Sequence, residues 1–175
     1  MKNMLKDAAI LLLITLTAGL ALGFVYQITK EPIALAEERA AKEAYAEVFS
    51  QAADFKETEL FWPEDDEWQS AWAGAGLEAV ELDKLLEALD ADQNLLGYVI
   101  TVTSHEGYGG DITFTMGITL EGTLNGISIL DISETAGLGM KAESVLKPQF
   151  ADKKVPSFTY TKQGAMSDSQ IDAIS

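Results

Sequence analysis

Cysteine is absent from this 175-residue chain. Its absence excludes disulfides, thiolate metal centres, iron–sulfur clusters, thiol catalysis and a cysteine-linked lipid anchor. Histidine is nearly absent. His105 alone cannot build a multi-histidine metal site, and no nucleophile motif accompanies it to suggest a Ser-His-Asp set. Positive charge is also scarce: 12 Lys and Arg stand against 28 Asp and Glu, for a net charge of −16. A nucleic-acid partner needs a basic face to meet its phosphates, and this balance argues against one. There is no internal repeat, no Gly-Lys-Ser/Thr phosphate loop, and no third glycine to complete a dinucleotide fingerprint.

The charge is unevenly spread. Residues 1–30 carry three Lys and one Asp, residues 31–92 carry 18 acidic and 4 basic groups, and residues 93–175 carry 9 acidic and 5 basic groups. The middle acidic run reads first as a solvated surface. It also argues against that part lying on an anionic lipid surface.

Residues 8–28 contain no charge. At about 1.5 Å per residue, 21 helical residues span on the order of 30 Å, the thickness of a bilayer core. Thr15 and Thr17 can return their hydroxyls to the preceding turn, and Tyr26 suits an interface. Ala21-Leu22-Gly23 would serve as a signal-peptide cleavage site, but the apolar run exceeds a usual signal core of roughly 7–15 residues. An uncleaved transmembrane helix is therefore expected. Lys2 and Lys6 place the N-terminus in the cytoplasm and the rest outside. The expected layout is a cytoplasmic N-terminus over 1–7, the membrane helix over 8–28, a helical stalk over 29–50 and an extracytoplasmic domain over 51–175.

Pro32 suits the first turn of a new helix, or a kink in one that continues. Residues 33–49 are amphipathic through Leu35, Tyr45, Val48 and Phe49. Residues 51–76 read as loop with short helical pieces, their Phe55, Phe61, Trp62, Trp68 and Trp72 packing on the domain. Leu82, Leu85, Leu86 and Leu89 have helical spacing and predict a helix over 77–89. The period then changes to two. Residues 96–104, 112–120 and 123–132 alternate, which predicts three antiparallel strands in a meander. A helix through Ala142, Val145 and Leu146 should stop near Pro148. Residues 153–162 offer a further strand through Phe158 and Tyr160. The fold class is α+β: a small antiparallel β-sheet packed with helices, preceded by one transmembrane helix.

Two glycine-rich loops stand out. Gly107-Tyr108-Gly109-Gly110-Asp111 joins two strands and is either a backbone anion nest or a flexible hairpin. Glu134-Thr135-Ala136-Gly137-Leu138-Gly139 lies between a strand and a helix. Its backbone donors suit a phosphate or a flavin edge, and Glu134 and Thr135 either contact a ligand or cap the helix. Lys141 is either a cation for a phosphate or reduced flavin, or a solvated lysine. His105 reads as a surface loop residue.

In their order these pieces resemble the G subunits of Rnf complexes, ion-pumping ferredoxin:NAD oxidoreductases of bacterial membranes. The C subunit of the sodium-pumping NADH:quinone oxidoreductase is related through the same FMN-binding domain. The resemblance rests on the basic N-terminus, the membrane helix, Gly107 to Ile112, Gly122 and Gly126, Glu134 to Gly139, Gln149-Phe150 and Asp172-Ala173-Ile174-Ser175. Ala136 stands where the family usually has proline, which would fix φ. The resemblance implies an electron-relay subunit in the bacterial inner membrane, partnered by other subunits, with no soluble substrate bound directly and no acid–base catalytic residue. It implies one flavin wall from Glu134, Thr135, Gly137, Leu138 and Gly139, with Lys141 beside it, and another from Gly109, Gly110 and Asp111. It further implies that the natural chain continues past Ser175 as Gly-Ala-Thr, the threonine carrying FMN through a phosphodiester bond. The contrasting expectation is a non-redox, membrane-anchored binding or scaffold module.

Overall fold

The computed structural model describes residues 2–58, 70, 72–135 and 139–174. Two compact units divide the chain, Met1–Ala40 and Ala41–Ser175. Helix α1 runs over Lys2–Val48; its residues up to Ala40 belong to the first unit and its last turns, from Ala41, belong to the second. It continues through Pro32 rather than restarting there. Its most apolar 18-residue window has a mean hydropathy of 2.4 and no buried residue. Length and composition therefore suffice for a membrane crossing. The hydroxyls of Thr15, Thr17 and Thr29 donate to the carbonyls of Leu11, Leu13 and Val25 at 2.9–3.0 Å. The helix thus satisfies these polar side chains by itself, as lipid requires.

The second unit is built on a five-stranded antiparallel sheet in the order β1-β2-β3-β4-β5. Its strands are β1 (Asp54–Glu57), β2 (Val80–Leu89), β3 (Leu95–Ser104), β4 (Ile112–Thr119) and β5 (Leu124–Ile132). The three alternating segments form β3, β4 and β5, within a residue of the expected limits. Two 3-10 turns, Gly139–Lys141 and Lys147–Phe150, flank the short helix α2 (Ala142–Val145). Strands β6 (Thr159–Thr161) and β7 (Gln170–Asp172) pair in parallel as a separate two-stranded sheet.

Residues 77–89 correct the sequence reading: their ordered core is a strand, not a helix. Its pairing with β3 has two register shifts: at Leu82/Lys84 the extra residue is Asp83 of β2, and at Ala88/Leu89 it is Leu96 of β3. The extra Asp83 returns Leu82 and Leu85, three apart, to the same sheet face, which explains the deceptive spacing. Leu86 and Ala88 pack in the core on the other face. β1 was also unanticipated. Its Phe55 packs on Tyr45 with ring centroids 5.8 Å apart. Phe61, Trp62 and Trp68 lie outside the described residues.

The core forms where the end of α1 lies across one sheet face. Tyr45, Val48 and Phe49, spaced i, i+3 and i+4, pack with Leu86, Ala88 and Val99. Burying a Val or Phe side chain is worth about 1.5–3 kcal/mol. This face is otherwise small and polar, with Gly97, Thr101, Thr115, Gly117 and Ser128. A Cβ on Gly117 would sit 2.5 Å from the Val48 carbonyl oxygen, so glycine there lets the helix end approach the strand. The Thr115 hydroxyl donates to the Ile100 carbonyl at 3.2 Å. Ser128 donates to Glu47 at 2.6 Å. The opposite face, with Tyr98, Ile100, Phe114, Met116, Ile118 and Ile127, is only half-buried.

Candidate functional site

The antiparallel meander brings both glycine loops to one end of the sheet. β3 leads into the 105–111 loop, β4 leads out of it, and β5 delivers Ser133 and Glu134 alongside. The side chain of Glu134 joins the two loops. Its Oε1 accepts the Gly109 N–H at 3.2 Å, across 25 residues of sequence. Its stem lies against Gly139, where an added Cβ would be 2.4 Å from the Glu134 Cβ. Gly109 in turn sits on the Ser133 carbonyl, 2.3 Å from where its own Cβ would be. Glycine at 109 and 139 is therefore a packing requirement at this site.

Of the residues expected to line the site, Gly109, Gly110, Glu134, Thr135, Gly139 and Lys141 belong to these two loops and the turn that follows them. Gly137, Leu138 and Ser175 lie outside the described residues. Glu134 does not cap α2. The N-cap of that helix is Lys141, without a side-chain cap bond, and the helix has only four residues. Asp111 pairs with His105, whose Nδ1 lies 3.0 Å from its Oδ1. The Nε2 of His105 lies 3.5 Å from Glu81. These carboxylates, Asp111 foremost, raise the His105 pKa above its ordinary 6.5. The pairing escaped the sequence reading. The available signal was that His105 and Asp111 bracket the glycine loop and so meet if it folds back.

A second polar cluster fixes the helix that follows the site. Lys147, its side chain only 19% exposed, pairs with Glu47 at 2.7 Å and with Glu143. The Lys147 ammonium and the Ser128 hydroxyl hold the Glu47 carboxyl below its ordinary 4.5. Lys141 is exposed and makes no ion pair with any described residue, and the Thr135 hydroxyl has no hydrogen-bond partner among them. The site thus presents a cation and a hydroxyl, both without a partner among the described residues, beside the two glycine loops. That donor set fits a phosphorylated, carbonyl-bearing heteroaromatic such as FMN.

Residues 107–175 match the family described as FMN-binding domain, and residues 1–48 match the one described as RnfG N-terminal region. The chain is 32% identical over 154 residues to the G subunit of the Na(+)-translocating ferredoxin:NAD(+) oxidoreductase complex of Acetobacterium woodii, covering 87% of this chain and 71% of that one. The chain belongs to the family of G subunits of ion-translocating oxidoreductase complexes. It is also 30% identical over 176 residues to the G subunit of the ion-translocating oxidoreductase complex of Methanosarcina acetivorans, covering 99% of this chain and 85% of that one. Over 68 residues it is 37% identical to the G subunit of the proton-translocating ferredoxin:NAD(+) oxidoreductase complex of Clostridium ljungdahlii, covering 38% of this chain and 36% of that one. Both glycine loops of this family member fall within its FMN-binding domain.

Proposed function

We propose that this chain is the flavin-carrying electron-transfer subunit of an ion-translocating ferredoxin:NAD+ oxidoreductase complex, held in the membrane by α1. The carrying observation is the FMN-binding match over residues 107–175, within which Glu134 draws two glycine loops together. FMN, when bound, supplies the electron-transfer chemistry. The chain supplies position and field. Glu134 fixes the spacing of the loops, the Thr135 hydroxyl and the backbone of Gly109, Gly110, Gly137 and Leu138 offer polar contacts, and Lys141 offers positive charge to a phosphate or a reduced ring. Asp111 acts at one remove by pairing with His105.

Lys2 and Lys6 precede the apolar run and carboxylates dominate after it, which supports a cytoplasmic N-terminus and an extracytoplasmic flavin domain. Other subunits of the complex are the partners. As the family resemblance implies, the flavin would be attached through its phosphate to a threonine. Intact mass of the protein from its native membrane tests this reading. The expected value exceeds the polypeptide by FMN less one water, with fragmentation placing the flavin on that threonine. A native protein that is colourless and has the bare polypeptide mass would overturn it in favour of a scaffold module.

A further inference from the structure

Strand β7 ends three residues before Ser175, and its support is unusual. Among the described residues its strand neighbour is the three-residue β6 alone. The Thr159 N–H donates to the Ser169 carbonyl, and the Ala173 N–H donates to the Thr161 carbonyl, both at 2.8 Å. Along β7 the odd-numbered residues therefore bond β6. Asp172 directs its N–H and C=O the other way, where no described strand follows. A side chain takes that place. The Gln149 Oε1 accepts the Asp172 N–H at 2.7 Å, and Gln149 Nε2 donates to the Asp172 carbonyl at 3.2 Å. The second Nε2 hydrogen goes to the Val145 carbonyl at 2.6 Å.

Three bonds use both hydrogens and the oxygen of the amide and fix its orientation, because a flipped amide would set N–H against N–H. One primary amide thus does the work of a neighbouring strand. It also caps the open carbonyl of α2, the helix that follows the 134–141 loop. Ile171, 5% exposed, anchors the segment from the side.

We propose that Gln149 is a positioning residue that docks the Asp172–Ile174 backbone against the end of α2 and so sets where the chain beyond it meets the flavin loops. The inference rests on the proposed flavin reading for its consequence, but not for the docking itself. Neither Gln149→Ala nor Gln149→Glu should unfold the sheet. The isosteric Gln149→Glu keeps the packing while turning an oxygen toward the carbonyls of Asp172 and Val145.

Hydrogen exchange on the full-length protein in detergent is the direct test. Both variants should speed exchange of the Asp172 amide at least tenfold, with β3 and β4 amides unchanged. In membranes of the native host, covalently bound flavin per polypeptide should fall several-fold in both. Asp168→Asn is the control. It removes the 2.7 Å ion pair from Lys153 to the same tail without touching the amide bonds, and should leave flavin loading at wild-type level. Unchanged exchange at Asp172, or wild-type loading in both Gln149 variants, overturns the proposal. A wild-type protein that never carries flavin overturns the flavin reading instead, and leaves exchange at Asp172 to decide the docking.

Discussion

Replacing Gly109 with alanine should separate the two glycine loops and leave the sheet beneath them intact. The new Cβ would stand 2.3 Å from the Ser133 carbonyl oxygen and 3.2 Å from the Glu134 Cα. Ordinary contact begins near 3.4 Å, so the loops must part by about 1 Å, a shift that well-packed backbone resists. That displacement stretches the 3.2 Å bond from Gly109 N–H to Glu134 beyond hydrogen-bonding range. A hydrogen bond to a charged group is worth about 1.5–3 kcal/mol when well sheltered, and the exposure here argues for the lower end. The loss is confined to loops at one end of the sheet, so the global cost should be about 1.5 kcal/mol, a few degrees in Tm. Flavin binding should suffer more, because polar groups held about 1 Å from their working positions lose most of their value. The assay pairs thermal unfolding with the visible circular dichroism of the bound flavin in the purified native protein. The expected result is a small drop in Tm with a collapsed flavin dichroism. Wild-type dichroism in Gly109→Ala would refute the claim that the Glu134-joined loops form the flavin wall.

Gly117→Ala should be the more damaging substitution for stability, by about 1–3 kcal/mol of overpacking against Val48 and Phe49, whereas Gly74→Ala, with no atom within 4 Å of its Cβ, should be neutral in the same melt. The His105 ring should titrate above 6.5 by NMR, chiefly because of Asp111, and Asp111→Asn should bring it down. Because this pKa is raised on folding, the stabilisation from the His105–Asp111 pair is fully present below the ordinary value and is lost as pH rises through the folded one. Exchange at Gly109 and Gly110 should therefore quicken with pH beyond the intrinsic rate. Glu47 behaves in the opposite sense: its depressed pKa adds stability above 4.5 that vanishes as pH falls. With that side chain 48% exposed, Glu47→Gln should cost only about 1 kcal/mol at neutral pH. Lys141→Met should lower the midpoint potential of the bound flavin by about 10–40 mV, the one-electron equivalent of a surface ion pair. An unchanged potential would remove Lys141 from the site.

The sheet was legible wherever one face alternated cleanly with the other. β3 and β4 follow directly from Tyr98-Ile100-Val102 and Phe114-Met116-Ile118 against their threonine-bearing neighbours. β2 was illegible because the extra residue Asp83 resets its period, and the three-residue spacing from Leu82 to Leu85 then imitates a helix. No local pattern could have revealed the strand, since that bulge has meaning only against the register of β3. Nor did the pattern say which face is the core. Aliphatic side chains crowd the half-buried face, while the buried one is lined with Gly97, Gly117, Thr101 and Thr115. The reason is geometric: the end of α1 lies close enough to the sheet that small residues must lie beneath it, and its own Tyr45, Val48 and Phe49 provide the apolar volume.

The candidate site was legible as two glycine loops but not as a structure, and two side chains explain why. Glu134 and Gln149 both act on backbone groups: the Gly109 N–H in one case, and the Asp172 N–H and C=O in the other. A backbone partner carries no residue identity, so no second letter in the sequence marks the pair. Pairs of side chains leave a trace at both ends, as His105 and Asp111 do, and a fold-back of the glycine loop would have predicted their meeting. The same asymmetry bears on mutation. Changing Asp172 to another L-residue leaves the Gln149 bonds in place, because its side chain takes no part in them. Only a change at 149, or proline at 172, which removes the N–H, breaks the attachment. Asp172→Asn should therefore load flavin normally where Asp172→Pro does not.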